Sequence, residues 1–190
     1  MRRAIGLFLA AVVLVPALAG CSADPAPHDL CGLIGGPLLD QMAPGAGTPM
    51  VTRDNSSVAN QVTCGVGSPT GARPFGSLQV ELTRLSPCFP DDGGTACNTR
   101  RIEADRFYEP LCDRWRINPE TMGAEVAVPG LGERSCAVAR TDPKSGLVTV
   151  HLVSQVAGDV VFVQYDAWPS TEQLAVRAAS AVVDNVWARL

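Results

Sequence analysis

Histidine is scarce in this 190-residue sequence, with only His28 and His151 present. Nucleophile motifs are missing too: there is no Gly-x-Ser-x-Gly, no Ser-x-x-Lys and no His-Glu-x-x-His. His28 lies in a Pro-rich linker, and His151 falls in the middle of a predicted strand, where we expect a surface or edge position. Histidine-based acid–base catalysis is therefore disfavoured, although carboxylate-only mechanisms stay open. We predict no catalytic residues and expect the chain not to be an enzyme.

Metal-ligand spacing is also absent. No Cys-x-x-Cys pair occurs, and neither histidine lies near a cysteine pair, so the sequence lacks the spacing of a zinc site. Asp91 and Asp92 precede two glycines, but the alternating ligands and terminal glutamate of a calcium loop are missing. We predict no metal site and no cofactor.

Basic residues are outnumbered. Beyond residue 20 the chain has 13 Lys and Arg against 19 Asp and Glu, a net charge of −6. Nucleic-acid binding typically requires a basic patch or stripe, so we predict no nucleic-acid partner. An acidic body is not attracted to anionic lipid either, so any membrane affinity must come from an anchor.

The N-terminus carries such an anchor signal. Arg2 and Arg3 precede a short apolar run over residues 4–17, as in a secretory signal peptide. The motif Leu18-Ala19-Gly20-Cys21 that follows resembles the bacterial lipobox, which implies cleavage before Cys21 and lipidation of that cysteine. The alternatives are a free cysteine after ordinary cleavage or an uncleaved anchor helix. The run is shorter than the ~20 apolar residues of a spanning helix, which disfavours the latter.

These signals divide the chain into three parts. We predict a signal peptide over residues 1–20, the lipidated cysteine and a flexible tether over residues 21–29, and one extracytoplasmic domain over residues 30–190. Pro25, Pro27 and small residues favour an extended tether that lifts the domain off the membrane. The predicted location is the extracytoplasmic face of the cell membrane.

The other six cysteines are an even number, as expected for disulfides in an exported domain. The sequence alone leaves several connectivities open. We prefer nearest-neighbour pairing: Cys31–Cys64, Cys88–Cys97 and Cys112–Cys136.

Alternating hydrophobicity predicts strands over residues 61–66, 77–84, 135–140, 147–154 and 159–165, with a weaker strand start after residue 50. The first two suggest an antiparallel hairpin with one wet face. The segment Val160-Val161-Phe162-Val163 is apolar on both faces, which favours a central position in the sheet.

Three helical regions complete the pattern. Two short pieces are predicted over residues 30–34 and 37–42, and a middle helix over residues 99–115. We expect a break or kink near Glu109, because Pro110 removes a hydrogen bond. Its arginines are interleaved with acids, which favours a charge-balanced, solvated face over an anion site. The last helix begins with a capping box of Ser170 and Gln173. We expect Trp187 and Leu190 to finish its apolar seam, which is predicted to comprise Leu174, Ala178, Ala181, Val182 and Val186.

The sum of these features resembles a family of actinobacterial lipoproteins, the domain of unknown function 3558 group. The resemblance rests on the lipobox cysteine, the segment Asp29-Leu30-Cys31-Gly32-Leu33, the strand containing Cys64, and Val128-Pro129-Gly130-Leu131-Gly132 before a strand. The Gly35-Gly36-Pro37 segment and the cysteine-rich stretch over residues 87–112 depart from it. The architecture is also similar to extracytoplasmic sensor domains of mycobacterial serine/threonine kinases.

The resemblance implies an α+β domain with an antiparallel sheet of about five or six strands. A long C-terminal helix and a middle helix are expected to pack on this sheet, and disulfides are expected to cross-link the domain. It transfers no catalytic residues. We predict a non-catalytic ligand-binding or sensing lipoprotein, whose partner is a small molecule, a lipid or an envelope protein. The alternative is an envelope protein–protein interaction or scaffold lipoprotein. The sequence does not identify the ligand-binding residues.

Overall fold

The computed structural model describes residues 25–56, 59–85 and 100–190. Within these residues, alternating apolar positions build one antiparallel sheet of seven strands in the order β1-β2-β3-β7-β6-β5-β4. The predicted α+β architecture is confirmed, with more strands than the five or six expected. The strands are β1 Met50–Asn55, β2 Ala59–Gly67, β3 Phe75–Leu85, β4 Ala124–Val126, β5 Arg134–Thr141, β6 Val148–Val156 and β7 Asp159–Trp168.

Strand β7 lies at the centre of the sheet, as its apolar composition predicts. It pairs with β3 on one side and β6 on the other. Val161 and Val163 are completely buried in one core cluster, and Val160 is buried in the cluster on the opposite face. The predicted β2–β3 hairpin is also confirmed.

Helix α5 (Glu172–Trp187) packs across one face of the sheet. Its cap is Thr171, whose hydroxyl accepts a hydrogen bond from the Leu174 amide at 3.3 Å. The predicted capping box of Ser170 and Gln173 is therefore wrong by one residue, because the chain stays extended through Thr171.

The buried stripe of α5 agrees with the prediction at Val182 and Val186 and differs at Leu174, while Ala178 and Ala181 are half-buried. Leu174 points outward and is 57% exposed. Leu190 is 45% exposed, so the last residue does not finish the core seam. Small and β-branched side chains allow close packing on the sheet, and the buried residues are Ala175, Val176, Ala179, Val182, Val183 and Val186.

Helix α3 (Arg100–Arg116) covers part of the opposite face and runs through Pro110 without interruption. No break occurs near Glu109, so that part of the prediction is wrong, whereas a kink there stays a prediction. Pro110 lies on the exposed side, whereas Tyr108, Cys112 and Trp115 are buried against the sheet. Packing and a covalent link on the inner side offset the hydrogen bond lost on the outer side. A short helix α4 (Pro119–Met122) follows.

Two of the three predicted disulfides lie in the described residues, and both are present. Cys31–Cys64 joins α1 (Leu30–Ile34) to β2, with the Cα atoms 5.2 Å apart, and Cys112–Cys136 joins α3 to β5 at 6.1 Å. Cys88, Cys97 and the predicted lipidation site Cys21 lie outside the described residues. The part of the chain that the structure describes holds no group of three or more potential metal ligands.

The first two helices lie where the sequence predicts them, as α1 (Leu30–Ile34) and α2 (Gly36–Met42). Asp29 caps α1 by accepting a hydrogen bond from the Gly32 amide at 2.8 Å. A side chain at Gly76 of β3 would collide with the Met42 carbonyl, so glycine permits the contact between α2 and the sheet.

The predicted tether is not free over residues 25–29. Ala26 is only 6% exposed and belongs to the core, and the carbonyls of Pro25, Ala26 and Pro27 accept hydrogen bonds from the sheet. Burial of Ala26 and these hydrogen bonds fix the segment against the domain. None of the described helices is long and apolar enough to cross a membrane.

Candidate functional site

The candidate site is built on the loop between β4 and β5. Leu131 is only 4% exposed and anchors the loop in the core. Gly132 follows with a φ of +70°, a conformation that side-chain-bearing residues rarely adopt. A Cβ atom there would lie 2.5 Å from the Ser154 hydroxyl and 2.8 Å from the Gln155 carbonyl oxygen. The loop can lie this close to β6 because residue 132 is glycine.

A buried hydrogen-bond chain locks the loop to the sheet and to α5. Ser154, which is completely buried, donates from its hydroxyl to the Leu131 carbonyl at 3.1 Å. The same oxygen accepts a hydrogen bond from the Trp187 indole nitrogen at 2.9 Å. Each of these hydrogen bonds contributes ~1 kcal/mol, and leaving one buried partner unpaired costs more. The loop and the helix are therefore positioned together.

Between the loop and α5 lies an open groove of about 310 Å³. Val128 and Leu131 on the loop side and Val176 and Ala181 on the helix side give it an apolar lining. Ser180 adds a hydroxyl from the middle of the helix. The sequence singled out the loop only as a family resemblance and α5 only as a packing helix; their juxtaposition arises from the fold.

The groove carries one positive and one negative side chain, Arg177 and Asp184. Both are exposed, and neither makes a side-chain hydrogen bond or ion pair with any other residue that the structure describes. They lie seven residues apart on α5, which is two turns or ~10 Å along the axis. The sequence signal that could have identified this pair is its spacing of two turns on one helix face. Any solvated helix face gives the same pattern, so the spacing alone does not indicate a site.

The arginines near α3 are a different case. Arg116 donates to Glu125 at 3.0 Å and lies 3.6 Å from Asp113. Arg134 of β5 bridges Asp105 at 2.9 Å and Glu109 at 3.0 Å. For Arg116 the predicted charge-balanced face is therefore confirmed. These contacts raise the pKa values of both guanidinium groups, chiefly through the hydrogen bonds to Glu125 and Glu109.

His151 lies inside the sheet and not at an edge, because β6 pairs with a neighbour on each side. Its ring is half-buried beneath α3, with ring centroids 5.9 Å from Trp115 and 6.2 Å from Phe162. Burial lowers the pKa of His151 below 6.5; Asp166 opposes this effect and Arg140 adds to it. No described hydroxyl or thiol is hydrogen-bonded to the imidazole.

Comparison with known proteins identifies a fold and no family. No family model matches the chain, and no curated protein matches it. The resemblance to the domain of unknown function 3558 group therefore stays a prediction.

Among solved structures, the chain is similar to the extracellular domain of PknH from Mycobacterium tuberculosis. The TM-score is 0.55 and the sequence identity 15%, over 88% of this chain and 100% of that one. At this identity the likeness shows the fold alone, and it agrees with the architecture expected from kinase extracytoplasmic domains.

Proposed function

We propose that this chain is a non-catalytic binding domain that a lipid on Cys21 holds at the outer face of the cell membrane. The observation that carries the binding function is the groove beside α5. Its apolar lining is flanked by Arg177 and Asp184, two charges without partners among the described residues. Pockets with an apolar surface and a few convergent polar groups are typical of small-molecule sites.

The extracytoplasmic location is supported by three independent features. The disulfides Cys31–Cys64 and Cys112–Cys136 are typical of an oxidising compartment. The leader ends in a lipobox-like motif at Cys21. The solved structure that shares the fold is itself an extracellular domain. A diacylated or triacylated cysteine holds a protein firmly, because each buried CH₂ contributes ~0.8 kcal/mol.

The groove favours binding over catalysis. His151 is packed between aromatic rings on the opposite face of the sheet from α5, and the groove is lined by one arginine, one aspartate and one serine as its polar side chains. A nucleophile needs an adjacent base, and Ser180 has none among the described groove residues. The arrangement fits a small molecule with an apolar body that carries both a positive and a negative group.

Native mass spectrometry tests the binding function. The soluble domain from Asp24 onward is purified from its own host as the wild type and as the double variant Arg177→Ala/Asp184→Ala. The double variant Arg140→Ala/Asp40→Ala is a matched control, since it removes an exposed charge of each sign away from the groove. We expect a small molecule retained by the wild type and the control and absent from the groove variant. Equal retention by all three, or a clean apo mass for the wild type, would contradict a groove-bound ligand.

A separate measurement tests the anchor. Intact-mass analysis of the full chain expressed in a bacterial host should show cleavage before Cys21 and the added mass of the acyl chains. The variant Cys21→Ala should lack both. An unmodified Cys21 in the mature wild type would refute the lipoprotein proposal without bearing on the groove.

The alternative function, an envelope interaction lipoprotein, is favoured by strand β1. This strand is at the edge of the sheet, and all six of its residues are exposed. Met50 is 67% exposed and Val51 39%. Edge strands of this kind can pair with a strand of a partner protein. Loss of a partner on Thr52→Pro, with the groove variant unaffected, would favour this alternative.

A further inference from the structure

The first described residues are fixed to one end of the sheet. Arg84 donates from Nη1 to the Pro25 carbonyl at 3.1 Å, and Arg53 donates from Nη2 to the Ala26 and Pro27 carbonyls at 3.2 and 2.9 Å. Arg84 is in turn held by Asp159 at 2.7 Å. The point at which the chain enters the domain is therefore set by side chains from β1, β3 and β7.

The strand register shows which end of the sheet this is. Asn60 pairs with Asn55 on β1 and with Arg84 on β3, and Asp159 pairs with Arg84 and with Val156 on β6. We call this end of the sheet, defined by these five residues, the anchor end. The turn over residues 142–147 lies at the opposite end, eight residues away along β6, or ~27 Å.

Little chain separates the anchor end from the proposed lipid. If the mature protein begins at Cys21, only residues 21–24 precede Pro25. A fully extended chain spans at most ~3.6 Å per residue, so these four residues reach no farther than ~14 Å. A free tether over residues 21–29 would have reached about twice as far.

We propose that the anchor end is the surface of the domain that faces the outer leaflet of the bilayer. This inference rests on the proposed lipid anchor at Cys21. The mature net charge of −6 gives the domain no attraction to anionic lipid. The orientation is therefore set by the short connection over residues 21–24, which we call the leash. Among the described residues of the anchor end, Arg84 is compensated by Asp159, so this pair adds no net charge on the side that faces the bilayer.

The orientation also places the groove. Ser154, which holds the groove loop, pairs with Val161, and Val161 lies two residues from Asp159 along β7. The Leu131 side of the groove is therefore ~7 Å from the anchor end along the strand direction. It opens near the headgroup layer and not at the distal tip of the domain.

Energy transfer from the protein to labelled lipid tests this orientation. The full, lipidated chain is placed in phosphatidylcholine–phosphatidylglycerol vesicles that contain rhodamine-labelled lipid. A donor dye is attached through an azide-bearing residue at position 55 or at position 144, which are both exposed and lie at opposite ends of the sheet. An azide avoids the native cysteines. We expect transfer at position 55 to be at least about twofold greater, because the sites differ by ~27 Å along the strands.

A spacer variant controls for the leash. Inserting about twelve Gly/Ser residues between Asp24 and Pro25 leaves the domain unchanged and adds a flexible segment to the connection. We expect the difference between the two labels to fall by at least about half, because the longer chain lets the domain tumble. An unchanged difference would show that something other than the short leash orients the domain and would overturn the leash as the cause of the orientation.

Vesicle flotation separates the two proposals. A wild-type chain that does not float with the vesicles refutes the lipid anchor, and the orientation fails with it. A chain that floats but shows equal transfer from both labels refutes the orientation and leaves the anchor standing.

Discussion

At the scale of single residues, His151 is a neutral ring in an aromatic cluster. Burial lowers the pKa of His151, so the unfolded chain binds its proton more readily than the folded chain. Its contribution to stability is therefore fully present above about pH 6.5 and is lost as the pH falls through the lowered folded pKa. Asp166 limits the shift, and Arg140 increases it.

We predict that His151→Phe removes this part of the pH dependence while keeping the ring contacts with Trp115 and Phe162. Urea unfolding from about pH 7 to about pH 5 measures it, and His28→Gln is the control, since His28 is exposed. The wild type and the control should lose stability more steeply than the variant as the pH falls. Parallel curves for all three proteins would contradict the prediction.

Two glycines in the groove loop allow a matched comparison. Gly130 and Gly132 have φ values of +77° and +70°, so alanine is strained to a similar degree at either position. A Cβ atom at Gly130 meets open space, whereas one at Gly132 meets Ser154 and Gln155. Any difference between the two alanine variants therefore reports the close approach of the loop to β6.

We predict that Gly132→Ala lowers the free energy of unfolding by at least ~1 kcal/mol more than Gly130→Ala does, because its Cβ displaces backbone as well as the Ser154 hydroxyl. Urea denaturation of the two variants checks this. Indole fluorescence should also change only for Gly132→Ala, if moving Ser154 disturbs its hydrogen bond to Trp187. Equal destabilisation would mean that the loop is free to move away from β6.

At the scale of elements, helix α3 tolerates a proline that should end it. An interior proline costs ~3 kcal/mol relative to alanine, and a disulfide closing a loop of this length contributes ~3 kcal/mol. The Cys112–Cys136 bond begins two residues after Pro110 and spans 24 residues of sequence. The two effects are of the same order, so the disulfide and the packing of Trp115 can keep the helix continuous.

We predict that Cys112→Ser/Cys136→Ser lowers the free energy of unfolding by ~3 kcal/mol and that adding Pro110→Ala recovers a substantial part of the loss. Alanine restores an amide that can bond to the Arg106 carbonyl. Pro119→Ala is the control, because Pro119 is the first residue of α4 and its missing amide costs nothing there. No recovery with Pro110→Ala, or equal recovery with Pro119→Ala, would count against this account of α3.

Helix α5 shows what hydrophobic periodicity can and cannot specify. The pattern correctly predicts a long C-terminal helix on the sheet, since apolar residues recur at helical spacing. It does not fix the helix register, because alanine is frequent on both sides and is apolar at every position. The structure buries Ala175 and Ala179, where the pattern predicts Leu174 and Ala178. The groove depends on the same helix register, because the register decides that Arg177 and Asp184 lie on the side of α5 that lines the groove.

At the scale of the whole molecule, the centre of the sheet could be predicted and its edges could not. Strand β7 is buried along one face and, at Val160, on the other face as well, which leaves an apolar signature over residues 160–163. Strand β1 is exposed along its whole length and carries almost none. The groove joins residues 127–131 to residues 176–184, which are some fifty positions apart. The sequence contains both segments, but the strand order that brings them together comes from the folded sheet.

The docked segment over residues 25–29 is the clearest departure from local sequence reasoning. Its prolines and small residues are those of a free linker, yet Asp29 caps α1 and Ala26 is buried. Removing an N-cap costs ~1 kcal/mol, and each hydrogen bond from Arg53 and Arg84 contributes ~1 kcal/mol or less. A domain without this segment would also leave part of its core open to solvent.

We therefore predict that a chain starting at residue 30 is less stable than one starting at Asp24 by roughly 2–4 kcal/mol. A chain starting at Pro25 is the control and should match the one from Asp24, because no contact of the docked segment is lost. Thermal and urea unfolding of the three chains measure the differences. Equal stability of all three would mean that residues 25–29 are only a tether. The connection to the proposed lipid could then span more than ~14 Å, and the proposed orientation would no longer follow from its length. Loss of stability only on removing residues 25–29 would place the start of the domain at Pro25 and leave four residues between it and the proposed lipid on Cys21.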